Sequence, residues 1–248
     1  MENRSQLITL PGAIIIAGAL IAVSIIWVKS PGKATDQTAQ AQLPNVENSS
    51  MRPISAGDHI LGNPNAPIKI VEYSDPSCPF CKIFNPTMVQ IMNTYGPTGQ
   101  VAWIYRHFPL DKPDQNGNIL HPNAGRESQA MECAAHLGGN TKFWEYEKLL
   151  YERTPAVTGE SPNGLDPKQL PVIAKDIGLD PVSFNECLTS NQFKDKVEAD
   201  YVDGLNAGVT GTPYSIIITP SGSMVPLVGA QTFSTIKAAI DALLVEVK

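Results

Sequence analysis

The chain is short of cysteine and of charge, and it carries no surplus of basic side chains. Lysine and arginine number 18 against 24 aspartates and glutamates, leaving a formal charge of -6. That balance speaks against nucleic acid as a partner, because binding phosphate requires a basic surface. No internal repeat and no glycine-rich phosphate cradle is present. Only four of the 248 residues are cysteine, so the placement of each is informative. What the chain does have is apolar bulk, 42% of its residues. This suffices for one good-sized core, or one core with an inserted subdomain. Its 21 prolines and 19 glycines are spread between periodic segments and imply many turns.

Residues 7–28, LITLPGAIIIAGALIAVSIIWV, contain no charge. As a helix rising about 1.5 Å per residue, this stretch would cross the roughly 30 Å hydrocarbon layer of a membrane. A cleaved signal peptide is the competing reading. Its apolar region would be shorter, about 7–15 residues, with a small-x-small site close behind. The nearest such site, Ala39–Ala41, is far downstream. An uncleaved anchor is therefore expected, with residues 1–6 as a short flank. Arg4 and the terminal amine, offset by Glu2, face Lys29 and Lys33 across it, so flanking charge alone leaves orientation open. Residues 29–58 are polar and aperiodic and read as a flexible tether.

Beyond the tether, Ala66–Asp75 and Gln100–Phe108 are rich in β-branched and aromatic residues and read as strands. Between them, Phe80, Ile83, Phe84, Met88, Ile91 and Met92 recur at helical spacing up to Gly96-Pro97. Strand, helix, strand implies a parallel βαβ unit. Residues 123–204 are helical in period, with Asp166-Pro167 and Asp180-Pro181 as start signals. Strands then return at Tyr214–Thr219 and Ser223–Val228, before a closing helix from Thr232. The expected fold is thus an α/β sheet over 59–122 and 205–248, interrupted by an all-helical insertion.

Cys78 and Cys81, in SCPFC, fall where the first helix should begin. A helix start gathers unpaired amides and about half a positive charge, which favours a thiolate at the first cysteine. Cys81, one turn in, can attack the first sulfur and close a ring. Such a pair exchanges disulfides through a mixed-disulfide intermediate. Two plainer readings compete: a structural disulfide, and half of a zinc site. Zinc normally draws on a second closely spaced pair. Here Cys133 and Cys187 stand alone, and His59, His107, His121 and His136 form no ligand pattern. No metal and no cofactor is expected.

Over residues 59–248 the sequence resembles the DsbA-like thiol:disulfide oxidoreductases of the thioredoxin superfamily. GNPNAPIKIVEYSDPSCPFCKIF, YRHFPL and ECAAHLGGNTKFWEYEKLLYER carry the likeness. Three further positions match: Pro86, which removes the helix bond to the Lys82 carbonyl; Thr212-Pro213, matching the family's cis-proline loop; and Glu72, matching its buried acid. The resemblance implies catalytic roles for Cys78, Cys81 and Glu72. It implies a client-binding surface at Thr212, Pro213, Pro79 and Phe80, where the Thr212 backbone would pair with an extended client. It also implies a second disulfide, Cys133–Cys187, worth on the order of 4 kcal/mol by chain entropy. A stable disulfide would indicate an oxidising compartment and so place the catalytic part outside the cytoplasmic membrane. In one respect the chain departs from the enteric members, which carry histidine between the two cysteines. Phe80 supplies no cationic donor to Cys78.

The expected function is membrane-tethered oxidation of reduced, exported proteins, with a quinone-linked membrane partner restoring the disulfide. The same chemistry run as a reductase or isomerase is the alternative. A binding or chaperone-like domain with merely structural cysteines is a third reading, of another class.

Overall fold

The computed structural model describes residues 50–155 and 164–245. The expected anchor, residues 7–28, lies outside the described residues. Among those that are described, no helix is long and apolar enough to cross a membrane. Of the expected tether, residues 29–49 also lie outside the described residues, but 50–58 is not free chain. Met51 is buried, the Arg52 amide donates to Asp203 Oδ1 at 2.6 Å, and Asp58 is buried against Arg106. The polar composition of this stretch conceals a buried ion pair, whose partner is 48 positions away.

One five-stranded sheet organises the described chain: β1 (His59–Gly62), β2 (Ile68–Ser74), β3 (Val101–His107), β4 (Tyr214–Ile218) and β5 (Met224–Val228), in the order β1-β3-β2-β4-β5. The β2–β3 pair is parallel and the other three pairs are antiparallel. The parallel pair needs a crossover, which α1 (Pro79–Tyr95) supplies. Strand β1 was not legible in the sequence, being four residues long, HILG, with only one of them buried.

Side chains alternate between the two faces, as strand pleating requires. Ile68, Ile70, Trp103, Tyr105 and Ile217 join α1 and the closing helix α6 (Phe233–Val245) in one buried cluster. Val71, Tyr73, Ala102, Ile104 and Ile216 form a second cluster. The sheet is therefore buried on both sides.

Between β3 and β4 lie α2 (Ala124–Arg153), a 3-10 turn at Pro167–Gln169, α3 (Leu170–Asp176), α4 (Pro181–Ser190) and α5 (Lys194–Asn206). Asp166 and Asp180 cap the turn and α4, accepting from Lys168 N and Ser183 N respectively. Gly139, at φ 77° and ψ -174°, kinks α2 in a conformation that side-chain-bearing residues essentially avoid. Phe143 and Tyr146 are fully buried, and Trp144 nearly so, as core residues. Gly204 lets α5 approach the sheet, since a Cβ there would meet the Phe108 ring at 2.5 Å.

Candidate functional site

Cys78 is the N-cap of α1, with Pro79 at the first helical position, where its missing N–H costs nothing. Its amide donates to the Asp75 carbonyl at 3.0 Å, closing the turn between β2 and the helix. Pro86 lies inside the same helix. Cys78 and Cys81 are both free thiols and both buried. The Cys78 thiol points at the Thr212 carbonyl, 3.5 Å away, and the Thr212–Pro213 peptide is cis. The loop before β4 and the start of α1 are thus brought together across 134 positions of sequence.

The two thiols differ sharply. Cys78 is lowered to about 6, chiefly by a hydrogen bond from Cys81. Burial opposes that shift, while Thr212 and the Cys81 amide add to it. The Thr212 carbonyl can only accept, so the group able to donate to a thiolate is its hydroxyl, which is buried and otherwise without a partner. Cys81 is raised well above its ordinary value by burial first, then by bonding to Cys78. The pair is therefore polarised into one ready thiolate and one retained thiol.

Glu72, on β2, lies between Tyr105 and Ser215 on the neighbouring strands and is 2% exposed. Burial pushes its carboxyl up to about 7, and the nearby Ser74 and Trp103 offset this only in part. Its Oε2 has no hydrogen-bond partner. A second buried acid, Glu147 of α2, bonds to Asn85 of α1 and is also pushed up by burial, with Glu72 adding to the shift. Phe80 is 60% exposed and Pro79 partly so, leaving apolar surface beside the Cys78 sulfur.

Several neighbours of the pair were not singled out from sequence. The Asp75 carboxylate accepts from the Ser77 amide at 2.7 Å, the Leu110 amide at 2.8 Å and His121 Nδ1 at 2.8 Å. Ser77 Oγ donates to Glu127 Oε2 at 2.6 Å, and burial raises Glu127 to about 7. Asp75 could have been suspected from its place three residues before Cys78. Nothing local marks His121 or Glu127.

Cys133 and Cys187 are joined in a disulfide between α2 and α4. His107, Glu132 and Asp200 offer three ligand atoms within 4.8 Å of one another. The Lys196 ammonium already stands there, 3.1 Å from Glu132 and 3.6 Å from Asp200, and supplies the cation this group requires. His136 is exposed and tilted against Phe193.

A family model described as Thioredoxin matches residues 55–242. The Na(+)/H(+) antiporter NhaA 3 of Salinispora tropica is 30% identical over 156 residues, 63% of this chain and 21% of the antiporter. Across seven such antiporters the chain spans 13–21% of their length. A Rickettsia felis protein named "Putative protein-disulfide oxidoreductase" is 22% identical, with 88% of this chain and 74% of that protein covered. Among solved structures, the T172V form of Wolbachia pipientis alpha-DsbA1 superposes with a TM-score of 0.65 at 23% identity, over 79% of this chain and 96% of that one. The chain belongs to the thioredoxin family and has the fold of DsbA proteins, a five-stranded sheet carrying inserted helices.

Proposed function

We propose that this protein is a DsbA-like thiol:disulfide oxidoreductase that oxidises reduced, exported proteins while tethered to the outer side of the cytoplasmic membrane. The observation that carries this reading is the polarised pair: Cys78 is lowered to about 6 at a helix start, and Cys81 is raised behind it. A stabilised Cys78 thiolate favours the reduced form of the protein, and so favours transfer of its disulfide to a client.

In the oxidised protein a client thiolate attacks Cys78 Sγ. The Cys78–Cys81 bond breaks, and Cys81 leaves and takes a proton. A second client thiolate then attacks the client sulfur of the mixed disulfide, and Cys78 leaves as the thiolate. The client has lost two electrons, and the protein holds them as a thiolate and a thiol. Glu72, raised to about 7, relays the proton that Cys81 takes and accepts it back when the disulfide is restored. Thr212, Pro213, Pro79 and Phe80 form the client surface. A quinone-linked membrane oxidase restores the disulfide. The uncharged stretch at residues 7–28 supports the tether, and the Cys133–Cys187 bond supports an oxidising compartment.

Two measurements test this. Refolding a reduced client with the purified protein should regenerate its activity, and Cys78→Ser should reduce that to background. Equilibration with glutathione buffers should give a reduction potential well above about -270 mV, the thioredoxin range. A value in the thioredoxin range would make the protein a tethered reductase.

A further inference from the structure

We propose that His121 is a positioning residue for the exchange reaction. Held by Asp75, it keeps beside the cysteine pair the second of the two protons released by the client thiols, opposite the Cys78 thiolate. This rests on the reading of Cys78 and Cys81 as an exchanging pair.

The geometry centres on Asp75, a residue whose main chain touches both cysteines. Its carbonyl accepts from the Cys78 amide at 3.0 Å, and its N–H donates to Cys81 Sγ at 3.5 Å. Its side chain, fully buried, accepts from His121 Nδ1 at 2.8 Å. A carboxylate can only accept, so Nδ1 carries the hydrogen and Nε2 is the nitrogen that takes up a further proton. His121 is 7% exposed, and its backbone is fixed at both ends: its amide donates to the Leu110 carbonyl, and its carbonyl accepts from the Ala124 amide.

The charges facing this imidazole are mostly acidic. Asp75 lies on the turn before α1, Cys78 at the start of α1, and Glu127 on α2. Asp75 in turn helps to raise Asp111, on the loop after β3, though burial is the larger cause. Together these groups outweigh burial and favour the imidazolium. Each disulfide exchange brings in two client thiol protons. One goes to Cys81, and the other is shared between solvent and His121 Nε2 once the Cys78 thiolate has formed. Phe80 offers no cation between the cysteines, and His121 supplies one from a different segment of the chain.

Because the coupling is reciprocal, the redox state of Cys78 must shift the titration of His121. In the purified full chain, the imidazole midpoint of His121 is followed by NMR in the oxidised and reduced forms, with His121→Asn assigning the signal. A higher midpoint in the reduced protein is expected, and equal midpoints would overturn the proposal. His121→Asn keeps a donor toward Asp75 but cannot carry charge. In it the Cys78 midpoint should rise by about one unit, making the thiolate about tenfold scarcer below both midpoints. The potential should fall, while thermal stability stays close to wild type. An unchanged Cys78 midpoint in a folded His121→Asn protein would also refute the role of His121. If wild-type Cys78 is itself ordinary and fails to exchange, the functional reading fails instead. Should His121→Asn not fold, the two-state titration of the wild-type imidazole still decides.

Discussion

Two buried polar regions flank strand β2, and they are built on opposite principles. At one, Arg106 is fully buried and all of its nitrogens are engaged. Nε and Nη2 donate to Asp58, and Nη1 donates to Asp203 at 2.8 Å. The Tyr73 hydroxyl and the carbonyls of Arg52 and Pro53 take what remains. Burial alone would raise the carboxyl of Asp58, yet Arg106 holds it below its ordinary value. At the other region, by the cysteine pair, Glu72 Oε2 and Ser215 Oγ have no hydrogen-bond partner. Leaving buried polar groups unpaired costs stability, which a purely structural cluster has no reason to accept. Paired charge holds the N-terminal segment and α5 to the sheet. On the proposed function, unpaired acid and hydroxyl are kept where protons must move.

Breaking the satisfied region should give the largest loss of stability and the least change in chemistry. Arg106→Met removes the buried cation between Asp58 and Asp203 and leaves them only the partly exposed Arg52, a defect that costs up to about 3–5 kcal/mol. Denaturant unfolding should show that loss, while client oxidation per folded molecule stays at the wild-type rate. A variant of normal stability with impaired exchange would show that the two regions are not separable in this way.

The same contrast sets what was legible in the sequence. Elements with a strong period were readable: Phe84, Met88 and Ile91 announce α1, and the β-branched runs announce β2, β3 and β4. The cysteine pair was readable as a candidate site because Cys78, Pro79, Phe80 and Cys81 are consecutive and sit at a helix start. Thr212-Pro213 was reached only through the family resemblance, since nothing local places it against Cys78. Arg106 was invisible as a core residue, because its ligands come from residues 52–58, 73 and 203. Asp75 and His121 meet across 46 positions, and Ser77 and Glu127 across 50. Such pairs are products of tertiary packing and leave no periodic trace. The α4–α5 break is similar: Asn191, in a left-handed conformation, divides what reads as one helical run.

The unsatisfied region yields the subtler test, through Glu72→Gln. The carboxyl of Glu72 is raised to about 7 in the folded protein, against 4.5 as its ordinary value. Below pH 4.5 both folded and unfolded forms hold the proton, and the group contributes nothing. As pH rises from 4.5 to 7, the unfolded chain gives up its proton while the folded one retains it, so stability falls. Above 7 the full penalty is present, about 3 kcal/mol for a shift of this size. Glu127, also raised to about 7, adds its own share. Glu72→Gln should therefore flatten, without abolishing, the decline in stability between pH 4.5 and 7. Its effect on exchange should run the other way and fall on reoxidation by oxidised glutathione, where Cys81 gives up a proton: above pH 7, where the wild-type carboxylate can accept it, the variant should be reoxidised several-fold more slowly. Below pH 6, where the wild-type acid is itself protonated and cannot accept, the two proteins should be reoxidised at similar rates. A rate deficit of the same size at every pH would reduce Glu72 to a packing residue, and the open valences around it would then need another explanation.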